Sequence, residues 1–416
     1  RSSRFGKNNQ TATFFSGGLM WNIKSENFLK NTKWIDLLKL RLSVGSQGNS
    51  DFGDDRTYWY KHLATTGTTT AYQGSPSLAA SEPGNSKLTW EKQVLTTVTV
   101  NARFFNIVNL DLELYNRHTS SMLFAVPYPW TSGYAEITSN VGSLVNRGID
   151  VSLDFDIVRT KDWYVGLATR LGYNHSKVTK LFLGRDKYID NARGTTYAVG
   201  RPVEMYWPLF AGVDPNDGKP MWYLPGKDVR VQTKDPSRTT KIYSDDLYQN
   251  TEKPRYAPVA GGFDINLKWK NFSISTNFSY VLGKYLYNND AYFTLNPSQF
   301  ASSPISPAKD IINNYWKKAG DVAKYPDIKT KTMDFDDRLL ENASFLRLKS
   351  LIVSYTLSKS VLNKTDLIKD VKFFFAGRNL FTVTKYSGQD PEVDANMTLG
   401  AYPNTRQYSF GIELTF

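Results

Sequence analysis

The chain ends on Tyr408-Ser-Phe-Gly-Ile-Glu-Leu-Thr-Phe416, where Tyr408, Phe410, Ile412, Leu414 and Phe416 alternate with Ser409, Gly411, Glu413 and Thr415. A period of two puts the apolar residues on one face and the small or polar ones on the other, so the stretch reads as a β-strand. An apolar edge strand left bare in water invites aggregation, whereas a last strand that pairs with the first strand of a closed barrel has no free edge. Nine residues fit a soluble β-sandwich as well as an outer-membrane barrel, and the choice rests on the rest of the chain.

The same alternation recurs upstream. Leu38, Leu40, Leu42 and Val44 enclose Lys39, Arg41 and Ser43; Leu110, Leu112 and Leu114 enclose Asp111 and Glu113; Ile149 to Ile157 enclose Asp150, Ser152, Asp154 and Asp156; Phe263 to Trp269 enclose Asp264, Asn266 and Lys268. Strands are expected near 11–23, 35–46, 88–101, 108–117, 147–158, 163–176, 261–270, 272–285, 344–357, 371–382 and 406–416. The joins between them alternate in length. Those near 24–34, 102–107, 159–162, 270–271 and 358–370 are short, whereas those near 47–87, 118–146, 177–260, 286–343 and 383–405 are long and rich in Gly, Pro, Asn and Asp. Tight turns at one rim and long loops at the other are the habit of outer-membrane barrels, and a sandwich has no reason to obey it.

Composition agrees. Aromatic content is 14%, with 25 Tyr and 24 Phe, which suits strands and interfacial girdles. No apolar run reaches the length of about 20 residues that a membrane-spanning helix needs. The absence of cysteine removes disulfides, thiolate metal sites and a cysteine nucleophile. Net charge is +12, but the Lys and Arg residues are scattered and surround no nucleic-acid-binding module, so nucleic acid is not expected as a partner. The opening Arg1-Ser-Ser-Arg-Phe-Gly6 has no signal-peptide pattern.

Little in the sequence suggests catalysis or a cofactor. His62, His118 and His175 stand far apart, without a second ligand at metal-binding spacing, and read as solvated or lumen residues. Asp214-Pro-Asn-Asp-Gly-Lys-Pro220 resembles a calcium loop, but its glycine falls one place early and the closing Glu is missing, so it reads as a turn. Asp51, Asp54 and Asp55 read as a solvated loop cluster, and Asp150, Asp154 and Asp156 as carboxylates facing the lumen, with no partner for acid–base work. No catalytic residue, metal or cofactor is therefore expected. The candidates for ligand contact are loop aromatics, because sugars and peptides present apolar faces that stack on rings: Tyr58, Trp59 and Tyr60; Tyr128 and Trp130; Tyr206 and Trp207; Trp222 and Tyr223. Packing of the loops on one another is the competing role for each.

Several stretches carry a family resemblance. Ser2-Ser-Arg-Phe-Gly-Lys-Asn-Asn9, Leu88-Thr-Trp-Glu-Lys92, Asn140-Val-Gly-Ser-Leu-Val-Asn-Arg-Gly148, Ala211-Gly-Val-Asp-Pro215, Phe345-Leu-Arg-Leu-Lys-Ser-Leu351 and Gly377-Arg-Asn-Leu-Phe-Thr-Val-Thr-Lys-Tyr-Ser-Gly-Gln-Asp-Pro391 resemble, in this order, the C-terminal half of SusC/RagA-type TonB-dependent outer-membrane transporters. Phe345 and Ser350 depart from the Tyr and Asn expected there. The resemblance implies an all-β chain, an antiparallel transmembrane barrel whose eleven strands form the C-terminal half of 22 around a plug held elsewhere. It implies import of a bulky oligosaccharide or peptide in the bacterial outer membrane, a SusD-like surface lipoprotein as lid, and the TonB complex acting through an N-terminal part. Tyr408, Phe410, Ile412, Leu414 and Phe416 are then the lipid-facing residues of the barrel-assembly strand. Eleven antiparallel strands cannot close regularly on themselves, since an odd count brings first and last together in parallel, so an N-terminal barrel half and plug are expected as partners. The alternative from another class is a secreted all-β glycan-binding module or adhesin.

Overall fold

A computed structural model of the protein describes residues 1–51, 61–69, 77–134, 136–190, 194–228, 230–297, 306–358, 368–393, 397–398, 400 and 402–416. Eleven strands form one antiparallel sheet, and successive members of the set are neighbours in space. They are β1 Ser16–Asn22, β2 Ile35–Asn49, β3 Glu91–Phe104, β4 Val108–Ser120, β5 Ser143–Arg159, β6 Trp163–Lys180, β7 Val259–Trp269, β8 Phe272–Leu282, β9 Phe345–Thr356, β10 Asp370–Thr384 and β11 Gln407–Thr415. Each expected strand is present, with shifted ends. The first begins at Ser16 rather than 11, although the Ser46 N–H still donates to the Phe15 carbonyl at 2.7 Å.

Register turns the alternation of single strands into two faces. One row runs across ten strands through Trp21, Leu40, Val100, Leu112, Val151, Leu171, Gly261, Tyr280, Leu346 and Val383. The next row is Asn22, Lys39, Asn101, Asp111, Ser152, Arg170, Gly262, Ser279, Arg347 and Thr382. Because the side-chain period is two, a slip of one residue in any strand would exchange these faces locally, so the apolar pattern fixes the register. On the polar face Arg170 pairs with Asp154 at 2.7 Å and the Tyr164 hydroxyl donates to Asp156 at 2.8 Å. The apolar face stays open: Tyr408, Phe410, Ile412, Leu414 and Phe416 are all exposed.

The short joins lie at one end of the sheet and bring rings together there. Phe105 and Asn106 both take φ near 50°, the left-handed region a tight hairpin needs, and the Asp36 carboxylate accepts from the Asn106 N–H at 2.6 Å. Trp34 stacks on Phe104 with centroids 5.9 Å apart, and Trp163 on Trp269 at 5.7 Å. The result is an aromatic girdle at the tight-turn rim.

The long connections are not plain loops, which the sequence did not reveal. They hold small sheets, among them Lys187–Asp190, Thr195–Ala198, Glu204–Pro208 and Tyr248–Pro254, and Phe210–Val213 with Pro220–Tyr223 and Thr239–Thr240. They also hold two short helices, α1 Asn289–Thr294 and α2 Lys309–Asn314. Their buried residues form a core of their own from Met205, Trp207, Tyr287, Tyr292, Met333 and Leu339, which joins the 181–258 connection to the 283–344 connection. The wall thus resembles a membrane protein's, and the layer above it a soluble one's.

Candidate functional site

Above β8 the chain continues as Tyr285–Asn288, which pairs antiparallel with Leu340–Asn342 and parallel with Met397–Thr398. Asn288 caps α1, its side-chain oxygen accepting from the Ala291 N–H at 3.1 Å. Between α1, α2, the Arg338–Glu341 stretch and the Ser387–Gln389 turn lies a cavity of about 790 Å³. Its wall mixes carboxylates (Asp290, Asp310, Glu341), cations (Lys324, Arg338) and polar side chains (Asn288, Thr294, Gln389) with apolar surface from Phe210, Leu295, Met333, Leu339 and neighbouring residues.

Most of these charges are held in place by a partner. Arg338 forks onto the fully buried Asp336, Nε to Oδ1 at 2.9 Å and a terminal nitrogen to Oδ2 at 2.7 Å, and lies 3.6 Å above the Phe210 ring. The Trp222 indole N–H donates to the same carboxylate at 2.9 Å. Asp310 receives Lys324 at 2.5 Å and the Tyr325 hydroxyl at 2.6 Å; the ammonium, more than the hydroxyl, holds its carboxyl below the usual range. Glu341 accepts from Asn288 at 2.8 Å and from the Ser387 hydroxyl and N–H, both at 2.7 Å. Behind the wall, burial pushes the Asp337 carboxyl up against the opposing Phe210 N–H, and burial pushes the Lys253 ammonium down. The site is concave and carries oriented charges of both signs. Among the described residues no group of three or more His, Cys, Asp or Glu is placed to hold a metal ion.

Of the loop aromatics singled out by the sequence, Tyr128, Tyr206, Trp207, Trp222 and Tyr223 do not line this cavity. Tyr58, Trp59 and Tyr60 lie outside the described residues. Tyr128 is exposed at 39%, and Trp130 opens a 3-10 turn, Trp130–Ser132. Tyr206, Trp207 and Trp222 are buried and Tyr223 half-buried. The Trp207 ring stacks on Tyr287 at 4.7 Å and Trp222 serves Asp336, so these rings hold the layer together. The cavity residues were missed because they carry no local signal: α1 and α2 are single short turns of helix whose approach depends on packing distant in sequence. The Asp214–Pro220 loop closes as a turn, the Gly218 N–H donating to the Asp214 carbonyl at 2.9 Å. Lys241 sits between Asp214 at 2.5 Å and Asp217 at 3.0 Å, which supplies positive charge to that loop from the protein itself. His118 and His175, expected to be solvated or in the lumen, stand exposed in the register of the apolar face.

Comparison with known proteins covers the whole chain. The TonB-dependent receptor SusC of Bacteroides thetaiotaomicron is 28% identical over 432 residues, which span all of this chain and 41% of that protein. TonB-dependent receptor P3 of Formosa agariphila is 28% identical over 453 residues and covered to 43%. Among solved structures, the RagAB peptide transporter superposes with a TM-score of 0.87 at 37% identity, and the RagAB peptide importer in an "open-open" state with 0.86 at 37%; each covers all of this chain and 44% of the other. The chain spans less than half the length of the relatives it matches. No family model matches it.

Proposed function

We propose, from the premise that this chain is of the SusC/RagA type of TonB-dependent transporters, that it forms the wall and surface loops of a bacterial outer-membrane importer whose cargo is short peptides. In that reading Tyr408, Phe410, Ile412, Leu414 and Phe416 face lipid, and the five long connections face outward. The open edges of β1 and β11 are the seams where further strands complete the barrel around a plug. A SusD-like lipoprotein covers the loop layer and TonB drives release. The observation that carries the cargo assignment is the cavity between α1, α2 and the Ser387–Gln389 turn. Paired charges of both signs and fixed amides match a backbone with charged termini, whereas a glycan calls for open ring faces. Tyr128 and Tyr223 are the loop aromatics left for apolar side chains of the cargo, with Tyr58, Trp59 and Tyr60 as further candidates.

The test is TonB-dependent uptake by cells of labelled peptides of about ten residues against labelled oligosaccharides, in wild type and in an Asp290→Ala/Lys324→Ala variant. Peptide uptake that falls at least tenfold in the variant supports the reading; uptake of oligosaccharides alone reverses the cargo. Release of the protein from membranes by carbonate rather than detergent rejects the importer in favour of a peripheral glycan-binding module.

A further inference from the structure

On the apolar face, the last apolar row of β4, β5 and β6 is Leu114, Ile149 and Tyr173, which are direct cross-strand partners. Immediately beyond it, towards the long connections, the same face turns basic. Arg147 stands opposite Asn116 on one side and His175 on the other, and the row above reads His118, Val145 and Lys177. Arg147, His118, His175 and Lys177 are all exposed. The Arg147 Nε donates to Asn116 Oδ1 at 2.9 Å, which orients the guanidinium and leaves its two terminal nitrogens for a ligand. Among the described residues none of the four forms an ion pair with a carboxylate. Neighbours on one face of a sheet are about 5 to 8 Å apart, so two or three of these groups can grip one tetrahedral anion.

Height places the cluster. His175 is twelve positions along β6 from Trp163 in the girdle. In barrels whose strands tilt by about 40°, each residue climbs about 2.5 Å, which sets His175 about 30 Å above the tight-turn rim. The apolar band of such barrels is about 25 Å tall, so the four side chains stand where the headgroups of the outer leaflet begin. The row of Tyr173, just below the cluster, continues on β7 and β8 as Val259 and Leu282.

We propose that His118, Arg147, His175 and Lys177 form a binding site for the phosphorylated headgroup of an outer-leaflet lipid, whose acyl chains run down over Tyr173, Ile149 and Leu114. Unpaired cations at a membrane surface attract anionic headgroups, and the guanidinium fork suits phosphate oxygens. The site rests on the outer-membrane reading above and is independent of the cargo.

The test is native mass spectrometry of the intact protein from phosphatidylcholine nanodiscs containing either diphosphorylated lipid A or the same lipid stripped of phosphate. Wild type should retain the phosphorylated lipid, and Arg147→Gln/Lys177→Gln should retain about tenfold less while still entering the discs. Lys39→Gln/Arg41→Gln removes equal charge from the polar face and should leave retention unchanged. Equal retention of both lipids, equal loss in both variants, or displacement by millimolar inorganic phosphate alone would overturn the proposal. Failure of wild type to enter any disc would instead reject the membrane reading itself.

Discussion

Replacing Asp390 by Ala should loosen the 385–406 connection without unfolding the sheet. Asp390 is 5% exposed and pairs with Arg347, 4% exposed, at the upper end of β9. Its carboxylate also accepts from the Glu392 N–H and from the Asn404 N–H and side-chain amide, each at 2.9 Å. Breaking a buried pair by removing one partner costs roughly 3 to 5 kcal/mol, because the other charge stays desolvated. Arg347 keeps Glu392 at 2.8 Å and the Thr382 hydroxyl at 2.9 Å, so the lower end applies. About 3 kcal/mol corresponds to a local opening constant raised about a hundredfold. Hydrogen exchange at Asn404 and Glu392 in the reconstituted protein measures it, with β4 and β5 amides as the control. Burial alone would push the Asp390 carboxyl up; Arg347 and the two N–H groups outweigh it and hold it at about 2. A depressed folded value means that the stabilisation is complete above the ordinary carboxylate pKa of about 3.9 and is lost as pH falls through about 2. Protection at Asn404, corrected for intrinsic rates, should therefore be flat from pH 7 to 5 and fall below about 4, and Asp390→Asn should abolish that acid limb. An Arg347→Met/Asp390→Leu double variant should recover most of the protection, since a well-packed apolar pair replaces a buried ionic one at little cost. A change under fivefold in Asp390→Ala would refute the account of this pair as the connection's anchor.

Three further outcomes follow from the geometry. Ile412→Lys should cost roughly 2 to 4 kcal/mol in urea titrations of the bilayer-folded protein, against well under 1 for Glu413→Gln, whose carboxylate is exposed and 3.4 Å from Lys372; equal costs would reverse the assignment of faces. Gly218→Ala adds a side chain at φ +69° whose Cβ would meet the Trp316 ring at 2.5 Å, so limited proteolysis near 214–220 should speed up roughly tenfold; an unchanged digestion pattern contradicts the turn. Asp336→Asn leaves Arg338 without its buried counter-charge and should cost about 3 kcal/mol in the loop layer, read as increased exchange at Arg338 and Phe210; an unaffected layer would mean that the Phe210 ring and the Thr332 carbonyl suffice to hold the guanidinium.

The strands were legible because a wall with one dry and one wet face must alternate, and alternation is a local property: Ile149 to Ile157 announces itself without reference to β4 or β6. The joins were legible as lengths for the same reason. What the long joins contain was not. Trp207 and Trp222 look in sequence like rings offered to a ligand, and only the approach of Tyr287, Phe335 and Asp336, about 80 to 130 positions away, turns them into core. Likewise Asp214 and Asp217 suggest an ion in sequence, and Lys241, which answers them, is separated by a hairpin. Burial in such a layer is decided by non-local packing, which has no period to read.

The shared core of the 181–258 and 283–344 connections limits how the surface can change over evolutionary time. A single-residue insertion in a tight join such as Lys270-Asn271 would throw β7 or β8 out of step with its neighbours, so change is channelled to the opposite rim. There, Met205 and Trp207 pack against Tyr287, Met333 and Leu339, so the two segments are not interchangeable cassettes. A change in the surface that this layer presents would then arise by replacing or recombining them as a pair, leaving the wall beneath untouched. Chimaeras that exchange only one of the two should misfold above a sound barrel.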